Sequence, residues 1–198
     1  MKTDIPQTVY LKDYTPPAFL IDTVDLDFVI ETGSTTVTAT LAIRRNPAVA
    51  AQPLVLDGDE LETLSVAVDG QKVPISATPT SLTLNDLPDA FTLRTIVRIQ
   101  PDKNTRLSGL YRSKDGYFTQ CEAQGFRRIT WFLDRPDVMS TYTVTLHADK
   151  EKLPVLLANG NPVAAGDEAD GRHWAKWNDP FRKPARSEER RVGKECSS

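Results

Sequence analysis

The segment FTQCEAQGF, residues 118–126, places an amide, a thiol and a carboxylate at three successive positions. Gln120 and Glu122 are two residues apart, so in an extended segment their side chains point to the same side. Such a pair can hold an ammonium group and a nearby carbonyl. Cys121 points the other way and is predicted to be a small buried residue, because no base adjoins it in sequence. Residue types alone leave two interpretations open, an amine-binding pair or a solvated surface loop.

The residues that follow this segment are predicted to support it. Three aromatic side chains are expected to pack beneath the loop instead of stacking on a ligand: Tyr117, Trp131 and Phe132. Asp134 and Asp137 flank an Arg-Pro pair and predict a turn that stabilises the loop base. The adjacent Arg127 and Arg128 are predicted to be half solvated and half paired.

Composition and charge exclude several classes of function. The net charge of −3 gives no electrostatic case for nucleic acid or anionic membranes. No apolar run approaches the ~18 residues of a membrane span, and the start lacks a signal-peptide core. Two cysteines are too few for a disulfide framework, so a cytoplasmic location is expected. His147 and His173 are isolated in strand-like runs without metal-ligand spacing, and both are predicted to be structural.

The elements that must position these residues are predicted to be β-strands. Alternating apolar residues occupy 24–30 and 37–43 around Gly33, and the pattern predicts a hairpin. Further short strands are predicted at 54–56, 64–68, 73–75, 82–84, 91–99, 142–146, 155–157 and 173–177. Thr95 falls on the apolar face of its strand. The pattern predicts an all-β fold, either a sandwich or a large twisted antiparallel sheet.

Three motifs connect the chain to a known family. QCEAQGF begins at Gln120, FLDRPD at Phe132 and LLANGN at Leu156, in this order and at family-like spacing. With YTPPAFLIDTVD near the start, they resemble bacterial aminopeptidase N, a family of zinc aminopeptidases of the gluzincin class. The resemblance covers nearly all of residues 1–185.

The resemblance implies a fold and a role for the loop. Residues 1–185 would form the N-terminal β domain, a saddle-like antiparallel structure that packs on its own downstream catalytic domain. The Gln-x-Glu loop would reach into the catalytic cleft. Glu122 would bind the free α-amino group of a peptide substrate, and Gln120 would help to shape the site for its first residue.

The family's zinc chemistry needs an H-E-x-x-H helix with a further Glu, and this sequence has none. Zinc is therefore expected only in the intact parent enzyme, and this chain alone is predicted to bind none and to be inactive.

The last 13 residues, RSEERRVGKECSS (186–198), differ abruptly from the familial WNDPFRKPA before them. They are interpreted as a translated sequencing adapter, with a natural charged tail as the alternative. The domain would then be truncated before its last strand, and an unpaired sheet edge would favour aggregation unless the tail shields it. Two other interpretations remain: a stand-alone β-sandwich binding module, or a non-catalytic paralogue. The genomic sequence beyond residue 185 would distinguish them.

Overall fold

The computed structural model describes residues 11–185 and the backbone of residues 188–192, and most of its regular structure is β-strand. The strands in this part of the chain are β1 Phe19–Glu31, β2 Ser34–Arg45, β3 Leu54–Asp57, β4 Glu62–Val68, β5 Gln71–Lys72, β6 Ser81–Leu84, β7 Ala90–Ile99, β8 Gly109–Ser113, β9 Gly116–Gln120, β10 Ser140–Asp149, β11 Asn161–Asp167, β12 Arg172–Lys183 and β13 Glu188–Val192. Short 3-10 helices occur at Leu11–Asp13, Pro101–Lys103, Phe126–Arg128 and Ala169–Gly171. The predicted all-β class is confirmed.

The described strands form one large sheet and two small ones. The large sheet has eight strands in the order β11-β12-β10-β1-β2-β7-β4-β5. The small sheets are β13-β9-β8 and the pair β3-β6. The predicted turn at Asp69 and Gly70 joins β4 to β5, and both residues have positive φ angles, 48° and 80°.

The large sheet is mixed and not purely antiparallel as expected. β1 pairs with β10 in parallel, with Thr23 opposite Thr141 and Val29 opposite His147. The β1–β2 hairpin already occupies the other side of β1. The chain therefore returns to β1 only after the long crossover through residues 100–139, and a crossover permits parallel pairing where a hairpin does not.

Burial follows the alternation in the sequence. In β2 the residues Val37, Ala39 and Leu41 are fully buried, while the intervening threonines are half-buried. Thr95 of β7 also lies at the buried face, where its hydroxyl is 3.2 Å from that of Thr130. This bond gives the buried hydroxyl a partner and places residues 126–132 against the large sheet.

Two predicted strands are absent from the described residues. A return strand was expected at 73–75, but β5 ends at Lys72 and Ile75 is exposed. The run 155–157 does not form a strand either, and the next strand, β11, begins at Asn161. Apolar runs of three residues do not by themselves separate a short strand from a packed loop. Throughout residues 11–185 and 188–192, no helix has the length and apolar character required to cross a bilayer.

Candidate functional site: the Gln120–Glu122 loop

A tight hairpin positions Gln120. β8 and β9 are joined by Lys114 and Asp115, and Lys114 has a φ of 53°, as a two-residue hairpin turn requires. Gln120 is the last residue of β9, pairs with Gly109 and is half-buried. The amide side chain is therefore fixed at the end of a regular strand.

Glu122 lies just beyond that strand, on an exposed turn. The turn is closed by a hydrogen bond from the Gly125 amide to the Cys121 carbonyl oxygen at 2.9 Å. The peptide bond between Glu122 and Ala123 is cis. Because the segment is not extended at Glu122, strand alternation does not place Glu122 on the same side as Gln120. The turn, and not strand alternation, sets the direction of the carboxylate.

Gly125 is required by the close approach of two backbone segments. A Cβ atom at this position would lie 2.6 Å from the Gln120 carbonyl oxygen and 2.8 Å from Ser108 Oγ. Any larger residue would push the turn away from the end of β9. Cys121, between the two candidate residues, is 1% exposed, so its predicted burial is confirmed.

Buried Arg128 anchors the loop from below. Its guanidinium pairs with Asp59 and Glu60, and its Nε donates to the Ser108 carbonyl oxygen at 3.1 Å. Its backbone amide donates to the Gly125 carbonyl oxygen at 3.1 Å. Arg128 is only 7% exposed, so the prediction of a half-solvated side chain is wrong for this residue. The burial occurs because partners more than 60 residues away in sequence satisfy the guanidinium.

Arg127 links the same loop to β3, because its Nη2 lies 3.6 Å from Asp57 Oδ2. Its Nε donates to Asp134 Oδ2 at 3.0 Å, and its backbone amide donates to the same oxygen at 3.2 Å. Asp57 and Phe132 exchange two backbone hydrogen bonds, at 2.8 and 3.1 Å. Burial raises the pKa of the Asp134 carboxyl, and the bonds from Arg127 offset part of that rise. The predicted role of Asp134 at the loop base is confirmed.

Asp137 also stabilises the loop base, and one of its partners was not predicted from the sequence. Arg135 Nε donates to Asp137 Oδ1 at 2.9 Å, and the Tyr14 hydroxyl donates to Asp137 Oδ2 at 3.0 Å. The hydrogen bond from Arg135 lowers the pKa of the Asp137 carboxyl. Tyr14 belongs to the YTPP motif, and that motif gave no signal for this contact.

The aromatic residues pack under the loop as predicted. Trp131 is 1% exposed, and its Nε1 donates to Thr63 Oγ1 at 2.8 Å. Its ring lies so close to Gly58 that a Cβ there would come within 2.2 Å of it. Phe126 and Phe132 meet edge to face with ring centroids 4.7 Å apart. These rings form a packed base, leaving the polar groups of the turn outside it.

Tyr117, in β9, is buried and holds its hydroxyl 2.8 Å from Asp102. Burial first, and the hydrogen bond to Asp102 second, raise the pKa of Tyr117 to about 12. β9 is therefore fixed by this polar contact as well as by pairing with β8.

The histidines occupy structural positions in the described part of the chain. His147 has its Nδ1 2.6 Å from Glu168 and its Nε2 3.2 Å from Asp27. His173 Nε2 lies 2.7 Å from the Leu153 carbonyl oxygen. No group of three or more potential ligand side chains gathers anywhere in residues 11–185. The described residues therefore do not fit a zinc site.

Glu122 differs from five acidic residues around the base of the loop. Asp57, Asp59, Glu60, Asp134 and Asp137 are each paired with an arginine. Among residues 11–185, no salt bridge or side-chain hydrogen bond engages Glu122 or Gln120. Glu122 is exposed two residues after the half-buried Gln120, and an exposed carboxylate can accept hydrogen bonds from an external ammonium group.

Comparison with known proteins identifies relatives of this chain. The family profile of the peptidase M1 N-terminal domain matches residues 20–185. The chain is 48% identical to the aminopeptidase N of Caulobacter vibrioides over 93% of its own length, and 45% identical to that of Escherichia coli over 92%. It spans only 22% and 21% of those two relatives.

Solved structures support the same relationship. Aminopeptidase A of Legionella pneumophila, solved in complex with aspartic acid, superposes with a TM-score of 0.87 at 28% identity, over 92% of this chain and 22% of that one. Leukotriene A4 hydrolase of Saccharomyces cerevisiae shares the fold, with a TM-score of 0.72 at 20% identity over 97% of this chain and 32% of that one.

Proposed function

We propose, since the chain belongs to the family of peptidase M1 N-terminal domains, that it is the N-terminal part of a zinc-dependent aminopeptidase that removes residues from the amino end of peptides. The identity of 48% to an aminopeptidase N across 93% of the chain supports this activity. The chain corresponds to about a fifth of such a relative, so the chemistry of the reaction belongs to sequence with no counterpart here.

Glu122 is proposed to bind the α-ammonium group of the substrate. The observation that carries this role is an exposed carboxylate without a described partner, whereas five acidic side chains around the base of the loop are all paired with arginines. A charge-assisted hydrogen bond of this kind contributes about 1.5–3 kcal/mol. A carboxylate fixed at the end of a cleft favours a peptide whose chain begins there, and this preference defines an exopeptidase.

Gln120 is proposed to shape the pocket for the first substrate residue. Its side chain stands at the end of β9, two residues before Glu122, and an amide can both donate and accept hydrogen bonds. It therefore suits the peptide group that follows the ammonium. Glu122 would supply the charge that binds the ammonium group, and Gln120 would orient the peptide group that follows it.

The chain by itself is proposed to be inactive. Its described residues gather no zinc ligands, so zinc and its activated water would be supplied by the remainder of the enzyme. Every role proposed for this chain is therefore one of binding and orientation.

A chimaera tests the proposal. Residues 1–185 of this chain would replace the matching part of the Escherichia coli aminopeptidase N, and the kcat/KM for an alanyl anilide would be measured with zinc content. Glu122→Gln should lower kcat/KM by about 10- to 150-fold, which is the range that 1.5–3 kcal/mol sets, and should spare zinc. The control is Glu31→Gln, because Glu31 is equally exposed at the end of β1.

An unchanged kcat/KM in Glu122→Gln would contradict the role of this carboxylate. An inactive chimaera with wild-type Glu122 and full zinc occupancy would contradict the proposal that this chain serves an aminopeptidase.

A further inference from the structure

The strand β9, which carries Gln120, is covered on both of its edges. β8 pairs with one edge through the hairpin, and β13, residues Glu188–Val192, pairs with the other in antiparallel direction. The second pairing places Glu188 opposite Gln120 and Val192 opposite Tyr117. The outer edge of β9 is thus an observed acceptor for an extended strand.

Hairpin geometry defines which groups of β9 face that outer edge. In a two-residue hairpin the closing pair, here Ser113 and Gly116, is hydrogen-bonded, and bonded pairs then alternate along the ladder. Gly116 and Phe118 therefore direct their backbone groups to β8. Tyr117 and Thr119 direct theirs to the outer edge, where β13 lies.

The sequence of β13 does not explain the pairing through its side chains. Residues 188–192 read EERRV, with four charges, one apolar residue and no period-2 alternation. Such a segment has low intrinsic preference for a strand. Backbone hydrogen bonding to an edge needs no particular side chain, and it is the mode by which extended peptides add to open sheet edges.

We propose that the outer edge of β9 is an interaction surface for an extended strand, recognised through its backbone. Residues 188–192 fill it and thereby keep a second copy of the chain from pairing there. When they are withdrawn, β9 of one copy pairs with β9 of another about a two-fold axis, because an antiparallel edge is complementary to itself. The edge runs from Tyr117 to Gln120, so the covering strand also holds the end of β9 next to the candidate site.

A pair of variants at one position separates backbone from side chain. Val192 lies opposite Tyr117, so its backbone groups face β9. Val192→Pro removes the amide hydrogen on that side, whereas Val192→Ala shortens the side chain and keeps the amide. A chain that ends at Ala185 is the third variant, and it removes the covering strand entirely. Hydrogen exchange by NMR and sedimentation velocity over a range of concentrations would be measured for the full chain and all three variants.

In Val192→Pro and in the shortened chain, the amides of Tyr117 and Thr119 should exchange roughly tenfold faster or more in the monomer at low concentration. The amides of Gly116 and Phe118 should stay slow, which also reports that the hairpin remains folded. Both proteins should form a dimer as concentration rises. Val192→Ala should match the full chain in both measurements.

Three results would overturn the proposal. The first is unchanged exchange at Tyr117 and Thr119 in Val192→Pro, and the second is a Val192→Ala variant that behaves like Val192→Pro. The third is a set of variants that expose these amides and remain monomeric at every concentration.

Discussion

The eight-stranded sheet and the segment 107–137 are stabilised in different ways. The sheet buries alternating aliphatic side chains such as Leu26 and Leu41, both fully buried. The segment holds its irregular backbone with buried polar groups, among them Arg128 and Asp134, which are 7% and 2% exposed. Apolar burial tolerates many neighbours, whereas a buried charge needs its particular partner. The candidate site stands on the second kind of structure, so its geometry depends on a few specific pairs.

The largest expected effect is in the sheet. Leu41→Ala removes a fully buried side chain between two strands and should lower the free energy of unfolding by about 2–5 kcal/mol. Thr40→Ala, at the adjacent half-buried position, is the control and should cost less than about 1 kcal/mol. Urea denaturation measures both. Equal losses in the two variants would show that alternation does not define the stabilising face.

A smaller effect is expected when the loop anchor is removed. Arg128→Met leaves Asp59 and Glu60 without their main partner and should cost about 1–3 kcal/mol. Arg106 contacts the same two carboxylates at 3.5 Å but its side chain is 63% exposed, against 6% for Arg128. Arg106→Met should therefore cost no more than about 1 kcal/mol.

Urea denaturation of these two arginine variants would be compared with hydrogen exchange at Gly125. If Arg106→Met were as destabilising as Arg128→Met, burial would not be what distinguishes the anchor. If the Gly125 amide exchanged at the same rate in Arg128→Met as in the parent, this arginine would not hold the turn.

The smallest effect concerns a single phenol. Burial and Asp102 raise the pKa of Tyr117 from 10.0 to about 12, so between these values the unfolded chain has released a proton that the folded chain retains. The unfolded state then binds fewer protons, and stability falls as pH rises through this window. In Tyr117→Phe this contribution is absent, so the variant should be less stable than the parent below pH 10, and the difference should narrow above it.

Urea denaturation at a series of alkaline pH values, together with tyrosinate absorbance, would measure the contribution of Tyr117. A stability difference that stays constant across the window would contradict the raised pKa.

The sequence predicted the structure best where the two-residue alternation of a strand determines it. The β1–β2 hairpin around Gly33 and the turn at Asp69 were predictable because alternation and turn residues act locally. The motif QCEAQGF identified the loop that carries Gln120 and Glu122, and it did so through family resemblance more than through spacing. The amine-binding role of these two residues stays a prediction.

The remaining features depend on contacts that no local pattern encodes. The partners of Arg128 lie 68 and 69 residues away, and the partner of Asp137 is Tyr14, 123 residues away. Thr95 lies on the apolar face of β7, and its partner Thr130 is 35 residues away. The parallel pairing of β1 and β10 likewise depends on the path of the long crossover, which alternation within either strand cannot reveal.

That parallel pairing also sets an order of events during synthesis. Ser140 Oγ donates to the Ile21 carbonyl oxygen at 2.6 Å across a separation of 119 residues, whereas β1 meets β2 through a tight hairpin. Contacts so distant in sequence raise the contact order, and loop closure on this scale is slow. On the ribosome the half-sheet β1-β2-β7-β4 can assemble first and must wait with one side of β1 open until β10 emerges. A nascent chain paused in that interval would present the bare side of β1 to chaperones.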